Sequence, residues 1–409
     1  MYNRGTKYLN KNNYAKALQF LKKEPLDFKE KYLNMGNCYR GLGNLDRAIE
    51  CYLKANSPSM PMANGSHIPE YTLALNNLGL ASYMLGSDST ALELYTRALA
   101  IDPLYYECLW NYANAYLRSG FSGADIDWNK AWSMYGYRFK RANGAVPIDS
   151  RIPLWDGVTK HDSIVVLAEQ GYGDKFMFSR YINLLKPYFN RIVIECKPDL
   201  DYFYSEYEIV RSGYMAADVG VPICSLPSIF YHYFPPHNWI KHEKIVNNFP
   251  ISRAKIGIVY SGSPTHANNH NRSTTLSSML CLRDLGDLYS LTPGARVTSG
   301  IVPMATTSWE ETTALVSSLD LVISVDTSIV HLAGCLDVPC IMIQPLCETD
   351  FRWGVGQTTT PWYPSVRIVS NNNWDTAIGK AKLLAIEMLA DIRDARLKNF
   401  IEDCNVQNN

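Results

Sequence analysis

A set of small and aromatic residues recurs at fixed spacing in the first third of this 409-residue chain. Each full copy contains a glycine, an alanine, a tyrosine and a second alanine at identical offsets. The two copies are Gly36, Ala48, Tyr52, Ala55 and Gly79, Ala91, Tyr95, Ala98. Small residues let two antiparallel helices approach closely, and aromatic rings fill the space between successive helix pairs. The pattern therefore predicts stacked helical hairpins.

This spacing is typical of the tetratricopeptide repeat, a helix-turn-helix unit of about 34 residues that stacks into a solenoid. Partial copies precede and follow the two full ones, at Gly5, Tyr8 and Ala17 and at Ala113 and Tyr116. We expect a tetratricopeptide repeat domain at residues 1–145. This region carries a net positive charge, and the remainder carries an equal negative charge. A solvated helical surface is the simpler explanation of the positive excess, and an anionic partner of the solenoid is the alternative.

Composition excludes several classes of protein. The 39 basic and 39 acidic residues balance, which gives no overall attraction to nucleic acid or membrane. The ten cysteines lack CxxC spacing, so neither a zinc site nor a disulfide framework is expected. No apolar run reaches the roughly 18 residues of a membrane span, and the N-terminus lacks a signal-peptide core. We therefore expect a cytoplasmic protein with reduced thiols.

After a linker broken by glycine and proline, predicted strands alternate with predicted helices in two blocks. The first has strands at 163–168, 191–195, 209–210 and 221–223 and a helix at 174–188. The second has strands at 255–260, 287–291, 321–325, 340–344 and 366–370, with helices at 274–285, 309–318, from Thr327, and from 375 to about 400. Such alternation predicts parallel sheets covered by helices. The expected fold class is α plus α/β: the solenoid, then two Rossmann-like domains at 146–250 and 251–409 that face each other across a cleft.

The most informative motif is a buried strand that ends at Asp326 and passes directly into a helix. Thr327 and Ser328 fall in the first turn of this helix, and His331 lies on the same side as Thr327. The free amides of a helix start beside small hydroxyl groups form an anion site. Diphosphate binding at the carboxyl end of a parallel strand is the functional interpretation. The alternative is an ordinary capping turn with a packed histidine.

A second polar loop follows the first strand of the second block. It begins with Ser261, Gly262 and Ser263 and reaches Arg272, in a stretch that has no acidic residue from Lys244 to Arg283. Small hydroxyls, amides and an arginine at a strand end suit a pyrophosphate, although a polar surface loop has the same composition. The neighbouring turn at 326–331 favours the phosphate interpretation.

Two further loops border the expected cleft. Gly171, Gly173 and Asp174 follow the first strand of the first block, where the glycines permit a tight turn. The carboxylate of Asp174 suits either a helix cap or a general base for a hydroxyl, and the spacing alone leaves both open. In the second block, Gln344 ends a strand, and Tyr363 lies among prolines and aromatic residues that can line a nucleotide or sugar site.

Together, residues 167–174 (LAEQGYGD), 260–273, 319–334 and 361–365 (PWYPS) resemble tetratricopeptide-linked glycosyltransferases that are related to glycosyltransferase family 9, the heptosyltransferase family. The domain order also resembles O-linked N-acetylglucosamine transferases. The resemblance implies a GT-B fold and an inverting, metal-independent transfer from a nucleoside-diphosphate sugar. The sugar nucleotide is the co-substrate, and no bound cofactor or metal is expected.

The resemblance also implies residue roles. Asp174 matches the family's candidate base, and Lys175 and Phe176 follow it where relatives carry an acidic and an aliphatic residue. The diphosphate loop matches Ser261, Gly262, Ser263 and Arg272, and the donor-binding turn matches Asp326, Thr327 and His331. Helix amides, Arg272 and His331 would stabilise the departing diphosphate in place of a cation, which makes His331 the second catalytic candidate.

Other interpretations remain. Asp125-Ile126-Asp127 has the DxD form of metal-dependent transferases, but it falls in the helical repeats and is interpreted as a solvated turn. A non-catalytic tetratricopeptide scaffold with a degenerate transferase domain is the main rival, and an epimerase or a phosphorylase on a similar fold are others. The solenoid would help to present an acceptor, which could be a protein, a glycan or a modified base in nucleic acid.

Overall fold

The computed structural model describes residues 1–141, 152–212, 216–230, 234–242, 253–266, 268–294 and 300–407. The chain divides into two compact units. Unit 1 comprises Met1–Ala145 and Cys347–Val355, and unit 2 comprises Val146–Leu346 and Gly356–Asn409. The predicted domain boundaries at 145/146 and 250/251 lie outside the described residues and stay predictions.

Unit 1 is a succession of helices, each of which packs against the next along the chain. They are α1 (Tyr2–Leu9), α2 (Tyr14–Lys22), α3 (Lys29–Gly41), α4 (Leu45–Asn56), α5 (Thr72–Met84), α6 (Asp88–Ile101), α7 (Tyr106–Phe121) and α8 (Trp128–Tyr135), followed by a 3-10 turn at Gly136–Phe139. The helical N-terminal region predicted from the repeats is confirmed.

The repeated glycines and tyrosines meet inside successive hairpins. A Cβ atom added to Gly36 would lie 2.4 Å from Cε1 of Tyr52, and one added to Gly79 would lie 2.5 Å from Cε1 of Tyr95. Both rings are fully buried. Because no larger residue fits against either ring, the spacing seen in the sequence is a direct consequence of helix packing.

Unit 2 contains two parallel sheets. The first is built from β1 (Ser163–Leu167), β2 (Arg191–Glu195), β3 (Glu208–Val210) and β4 (Val219–Pro222), in the order β3-β2-β1-β4. Helix α9 (Tyr172–Phe178) and a 3-10 segment (Ser179–Leu185) follow β1; further 3-10 segments lie at Pro198–Tyr204 and Ile223–Ser225, and α10 covers Leu226–Ile229. All strand pairs are parallel.

The second sheet has the order β10-β9-β8-β5-β6-β7, again with parallel pairs throughout. Its strands are β5 (Ala254–Val259), β6 (Gly286–Ser290), β7 (Ile301–Val302), β8 (Leu321–Val325), β9 (Cys340–Gln344) and β10 (Val366–Ser370). Its helices are α11 (Asn269–Arg272), α12 (Leu276–Met279), a 3-10 turn (Leu280–Leu282), α13 (Trp309–Ser317), α14 (Ser328–Cys335) and α15 (Trp374–Gln407). The predicted α plus α/β class is confirmed.

Two predicted helices are shorter than the sequence indicated. The helix expected at 174–188 ends at Phe178 and continues as 3-10, where the Ser179 hydroxyl bonds Tyr204. The helix expected at 274–285 is one turn of α12 and a 3-10 turn, because Thr275 and its serine neighbours bond each other and compete with the backbone. Strand β7 and helix α11 were not predicted.

Each sheet reverses its strand order at one position. In the second sheet, β5 and β8 are neighbours, yet the chain leaves β5 toward β6 on one side and continues from β8 to β9 on the other. In the first sheet the same reversal falls between β1 and β4. Loops at such positions diverge and open a crevice at the carboxyl ends of the strands, where ligands of α/β proteins bind.

The described helices include none that is both long enough and apolar enough to cross a membrane.

We expect Gly79→Ala to lower the free energy of unfolding by about 1–3 kcal/mol, because the new methyl group overlaps the buried ring of Tyr95. Gly136→Ala is the matched control in the same unit, since a Cβ atom there meets nothing within 4 Å. Urea denaturation followed by circular dichroism measures both variants. Equal stabilities would contradict the packing role of the repeated glycine.

Candidate active site

The turn after β8 has the geometry of a helix start. Thr327 has an extended backbone, with φ of −147°, and is the N-cap of α14. Its hydroxyl lies 3.1 Å from that of Ser324, which is buried at the end of β8. Asp326 and Ser328 flank the cap, so the first amides of α14 follow directly from the strand edge beside the second sheet's reversal point.

His331 is held from its Nδ1 side. The ring is 5% exposed, and Nδ1 lies 3.0 Å from the hydroxyl of Tyr363. The two rings meet edge to face, with centroids 5.7 Å apart. Burial raises the pKa of Tyr363 well above its ordinary value, which keeps the hydroxyl protonated. When this hydroxyl donates to Nδ1, the neutral imidazole carries its proton on Nε2.

The opposite edge of the histidine ring packs on Gly173. A Cβ atom added to Gly173 would lie 2.8 Å from Cδ2 and 3.2 Å from Nε2 of His331, and 3.6 Å from Cα of Ser328. Only glycine allows this approach. The first turn of α9, which follows the first sheet, is therefore in contact with the first turn of α14, which follows the second.

The loop before α9 is held by two charged side chains. Asp174 is the third residue of the helix, and its Oδ2 accepts the amide of Gly171 at 3.1 Å. Lys175 turns back, and its ammonium donates to the carbonyls of Gln170 at 3.0 Å and Glu169 at 3.3 Å. Burial lowers the pKa of Lys175. Asp174 is not the N-cap, which is Gly171; its carboxylate accepts the N-cap amide from the third helical position, and this bond fixes its direction.

The loop after β5 folds around Gly262. Its amide donates to the hydroxyl of Ser273 at 3.1 Å, and this hydroxyl donates to Oδ1 of Asn269. A Cβ atom on Gly262 would lie 2.9 Å from Nη2 of Arg272. The neighbouring hydroxyls bond locally, Ser261 to the carbonyl of Gly262 and Ser263 to Thr265.

Arg272 links this loop to the turn after β8. Its Nη1 lies 3.9 Å from Oδ2 of Asp326, which is a loose ion pair, and its side chain is 15% exposed. The Nε atom is buried and has no hydrogen-bond partner within the described ranges. The predicted residues of the β5 and β8 loops are therefore neighbours at the point where the strand order reverses.

Gln344 ends the strand next to β8, one position beyond the Val325–Ile343 pair. It is buried at the end of β9, and its side-chain amide donates to the Ser370 hydroxyl at the end of β10. Asp127, in the DxD sequence, caps α8 by accepting the amide of Lys130 at 3.0 Å. Across the residues that the structure describes, no group of three or more His, Cys, Asp or Glu side chains is placed to hold a metal ion.

Arg180 was not predicted from the sequence as part of the site. This buried arginine donates to the carbonyl of Trp362 at 2.9 Å, and its guanidinium lies 5.0 Å from the ring centre of Tyr363. It thereby fixes the segment that holds His331. A signal was available, because an arginine within an otherwise apolar helical stretch requires a specific buried partner.

Tyr363→Phe should lower the free energy of unfolding by roughly 1–3 kcal/mol, because Nδ1 of buried His331 loses its hydroxyl partner while the ring packing is kept. Tyr181→Phe is the matched control: the Tyr181 hydroxyl is equally buried but has no hydrogen-bond partner among the described residues. Chemical denaturation compares the two. A larger loss for Tyr181→Phe would refute the assignment of the His331–Tyr363 bond.

Comparison with known proteins bears on the second sheet above all. Residues 288–383 match the model of Glycosyltransferase family 9 (heptosyltransferase). The match runs from β6 into α15 and includes Asp326, Thr327, Ser328, His331 and Tyr363. Comparison with curated proteins finds no match.

Solved structures show weaker similarity. MamA is 22% identical over 32% of this chain and 71% of its own, with a TM-score of 0.25. An O-GlcNAc transferase mutant of Thermobaculum terrenum is 10% identical over 98% of this chain and 92% of its own, with a TM-score of 0.35. The E. coli heptosyltransferase WaaC with ADP is 10% identical over 55% of this chain and 99% of its own, with a TM-score of 0.39. Scores this low support no conclusion about activity. The family match carries more weight: residues 288–383 are similar to a glycosyltransferase family 9 domain, which supports a glycosyltransferase.

Proposed function

We propose that unit 2 moves a sugar from a nucleoside-diphosphate sugar to an acceptor hydroxyl, with inversion and without a metal ion. The observation that carries this proposal is the contact of His331 with Gly173. It brings the start of α9, with Asp174, against the start of α14, with Thr327 and Ser328. We therefore assign the candidate base and the candidate diphosphate site to one crevice, as a direct displacement requires.

The donor diphosphate would bind where the β5 and β8 loops meet. The first amides of α14 and the hydroxyls of Thr327 and Ser328 supply neutral donors. Arg272 supplies positive charge, and its loose pair with Asp326 leaves the guanidinium able to turn toward a phosphate. Ser261 and Ser263 lie in the loop after β5, and we assign them to the same diphosphate site.

In the proposed step, Asp174 accepts the proton of the acceptor hydroxyl as the acceptor oxygen attacks the anomeric carbon. The bond from that carbon to the diphosphate oxygen breaks on the opposite face, which inverts the configuration. Arg272, the α14 amides and Nε2–H of His331 stabilise the negative charge on the leaving diphosphate. The hydrogen bond from Gly171 to Asp174 keeps the carboxylate in one orientation before the acceptor arrives.

We also propose an acceptor-presenting surface and a cellular location. Solenoids of stacked helical pairs bind ligands along extended concave surfaces, so we assign acceptor presentation to unit 1. A protein, a glycan and a modified base in nucleic acid are the acceptor classes to screen. We place the reaction in the cytoplasm, where nucleotide sugars are abundant and the free cysteines stay reduced.

Donor binding is tested by thermal unfolding with UDP, GDP, ADP, CDP or TDP, each in EDTA. We expect one diphosphate to stabilise the protein, by about 2.7 kcal/mol at a hundredfold excess over Kd. Arg272→Ala should abolish the shift, whereas Arg253→Ala, which removes an exposed pair with Asp287, should keep it. If no diphosphate stabilises the wild-type protein, the scaffold interpretation replaces the enzyme.

The base is tested by Asp174→Asn, with the acceptor class found by screening against the donor thus identified. We expect transfer to fall by about 10²–10⁴-fold while the diphosphate still stabilises the protein, because the amide keeps the cap but cannot accept the proton. Asp201→Asn, in an exposed pair with Arg211, is the control and should retain activity. Full transfer by Asp174→Asn would assign the base elsewhere.

A further inference from the structure

Unit 1 contains a second chain segment, Cys347–Val355, which we call the strap. In the sequence the strap lies between Gln344, at the end of β9, and Tyr363, which holds His331. The solenoid is therefore completed by residues from the middle of the glycosyltransferase family 9 match. Neither the repeat pattern nor the proposed reaction accounts for this arrangement.

Arg118 on α7 is the main anchor of the strap. Its side chain is 0% exposed, and Nη1 donates to the carbonyl of Thr349 at 2.9 Å. The other guanidinium atoms are taken by Asp88, with Nε 2.9 Å and Nη2 2.6 Å from Oδ1, and by the carbonyl of Tyr83. The guanidinium also lies 3.4 Å from the ring centre of Tyr83. This set of contacts requires the planar fork of arginine, which lysine lacks.

The strap is also part of the core of unit 1. Phe351 is 3% exposed, and its ring centre lies 5.6 Å from that of Tyr135, 6.1 Å from Trp132 and 6.3 Å from Phe121. The backbone of the strap is hydrogen-bonded near both ends. The amide of Glu348 donates to the carbonyl of Met84, and the amide of Val355 donates to the hydroxyl of Ser122. The strap is thus held by residues of unit 1 at its middle and near both ends.

Both flanks of the strap are held in unit 2. On the β9 side, the amide of Leu346 donates to Oδ1 of Asn372 at 2.9 Å. On the other side, Arg180 donates to the carbonyl of Trp362, and Tyr363 bonds His331. Only the residues from Gly356 to Pro361 separate the strap from the segment that holds His331.

From these contacts we infer that Arg118 is a positioning residue for the donor site, acting through the strap on Tyr363 and His331. The inference rests on the proposed function, because it requires that His331 and the loop between β9 and Tyr363 belong to a donor-binding site. It predicts that a change deep in the solenoid alters the affinity for the nucleotide. The effect is expected on binding of the donor and not on the chemical step, because Arg118 touches neither reactant.

The test uses the full chain with Arg118→Lys, which keeps the charge but cannot make all the bonds. Hydrogen exchange followed by mass spectrometry should show faster exchange in the strap and at 356–366. Affinity for the diphosphate that stabilises the wild-type protein should fall roughly 2–30-fold, with KM for the donor raised and kcat unchanged. Arg97→Lys, in an exposed pair with Glu70 on the same solenoid, is the control and should alter neither quantity.

Phe351→Leu provides a second route if Arg118→Lys does not fold, because it loosens the strap from its own side. Faster strap exchange with unchanged diphosphate affinity in a folded variant would overturn the inference and leave the proposed function intact. Unchanged strap exchange in Arg118→Lys would overturn it as well. Absence of diphosphate binding in the wild-type protein is a different outcome, which rejects the proposed function and the inference with it.

Discussion

The close approach of His331 to Gly173 is the contact on which the arrangement of unit 2 depends. It joins the first turns of α9 and α14, and so the loops that leave two separate parallel sheets. The histidine ring can occupy this place because Gly173 has no side chain and because Tyr363 fixes the ring from its Nδ1 edge. Both conditions are steric or directional, so few sequences satisfy them together.

Parallel sheet topology explains why polar residues from distant parts of the chain meet here. All strands of a sheet end at the same edge, and the loops diverge only where the strand order reverses. The loop with Arg272 and the turn with Asp326 leave adjacent strands at that point, and their charges face each other at 3.9 Å. A long ion pair of this kind, beside the first turn of α14, suits the proposed exchange of an internal carboxylate for a ligand phosphate.

Unit 1 includes a segment, the strap, that is not part of the helical repeats. A tetratricopeptide array is usually stabilised by contacts between neighbouring repeats alone. Here Arg118, a fully buried cation, is neutralised by Asp88 and bonded to the backbone of the strap. Burying such a charge is unfavourable unless all its partners are present. The last helices of the solenoid therefore depend on a segment that follows them by more than two hundred residues in the chain.

The sequence by itself determined the features that depend on local periodicity: the helical repeats, most strands of the two sheets, and the polar loops at their carboxyl ends. Only the tertiary structure decided that Tyr363 and Arg180 support His331, that Gln344 bonds its neighbouring strand, and that the strap belongs to unit 1. The physical reason is that residue spacing reports only on local structure. Spacing along the chain records which face of an element is buried, but not which distant side chain covers that face.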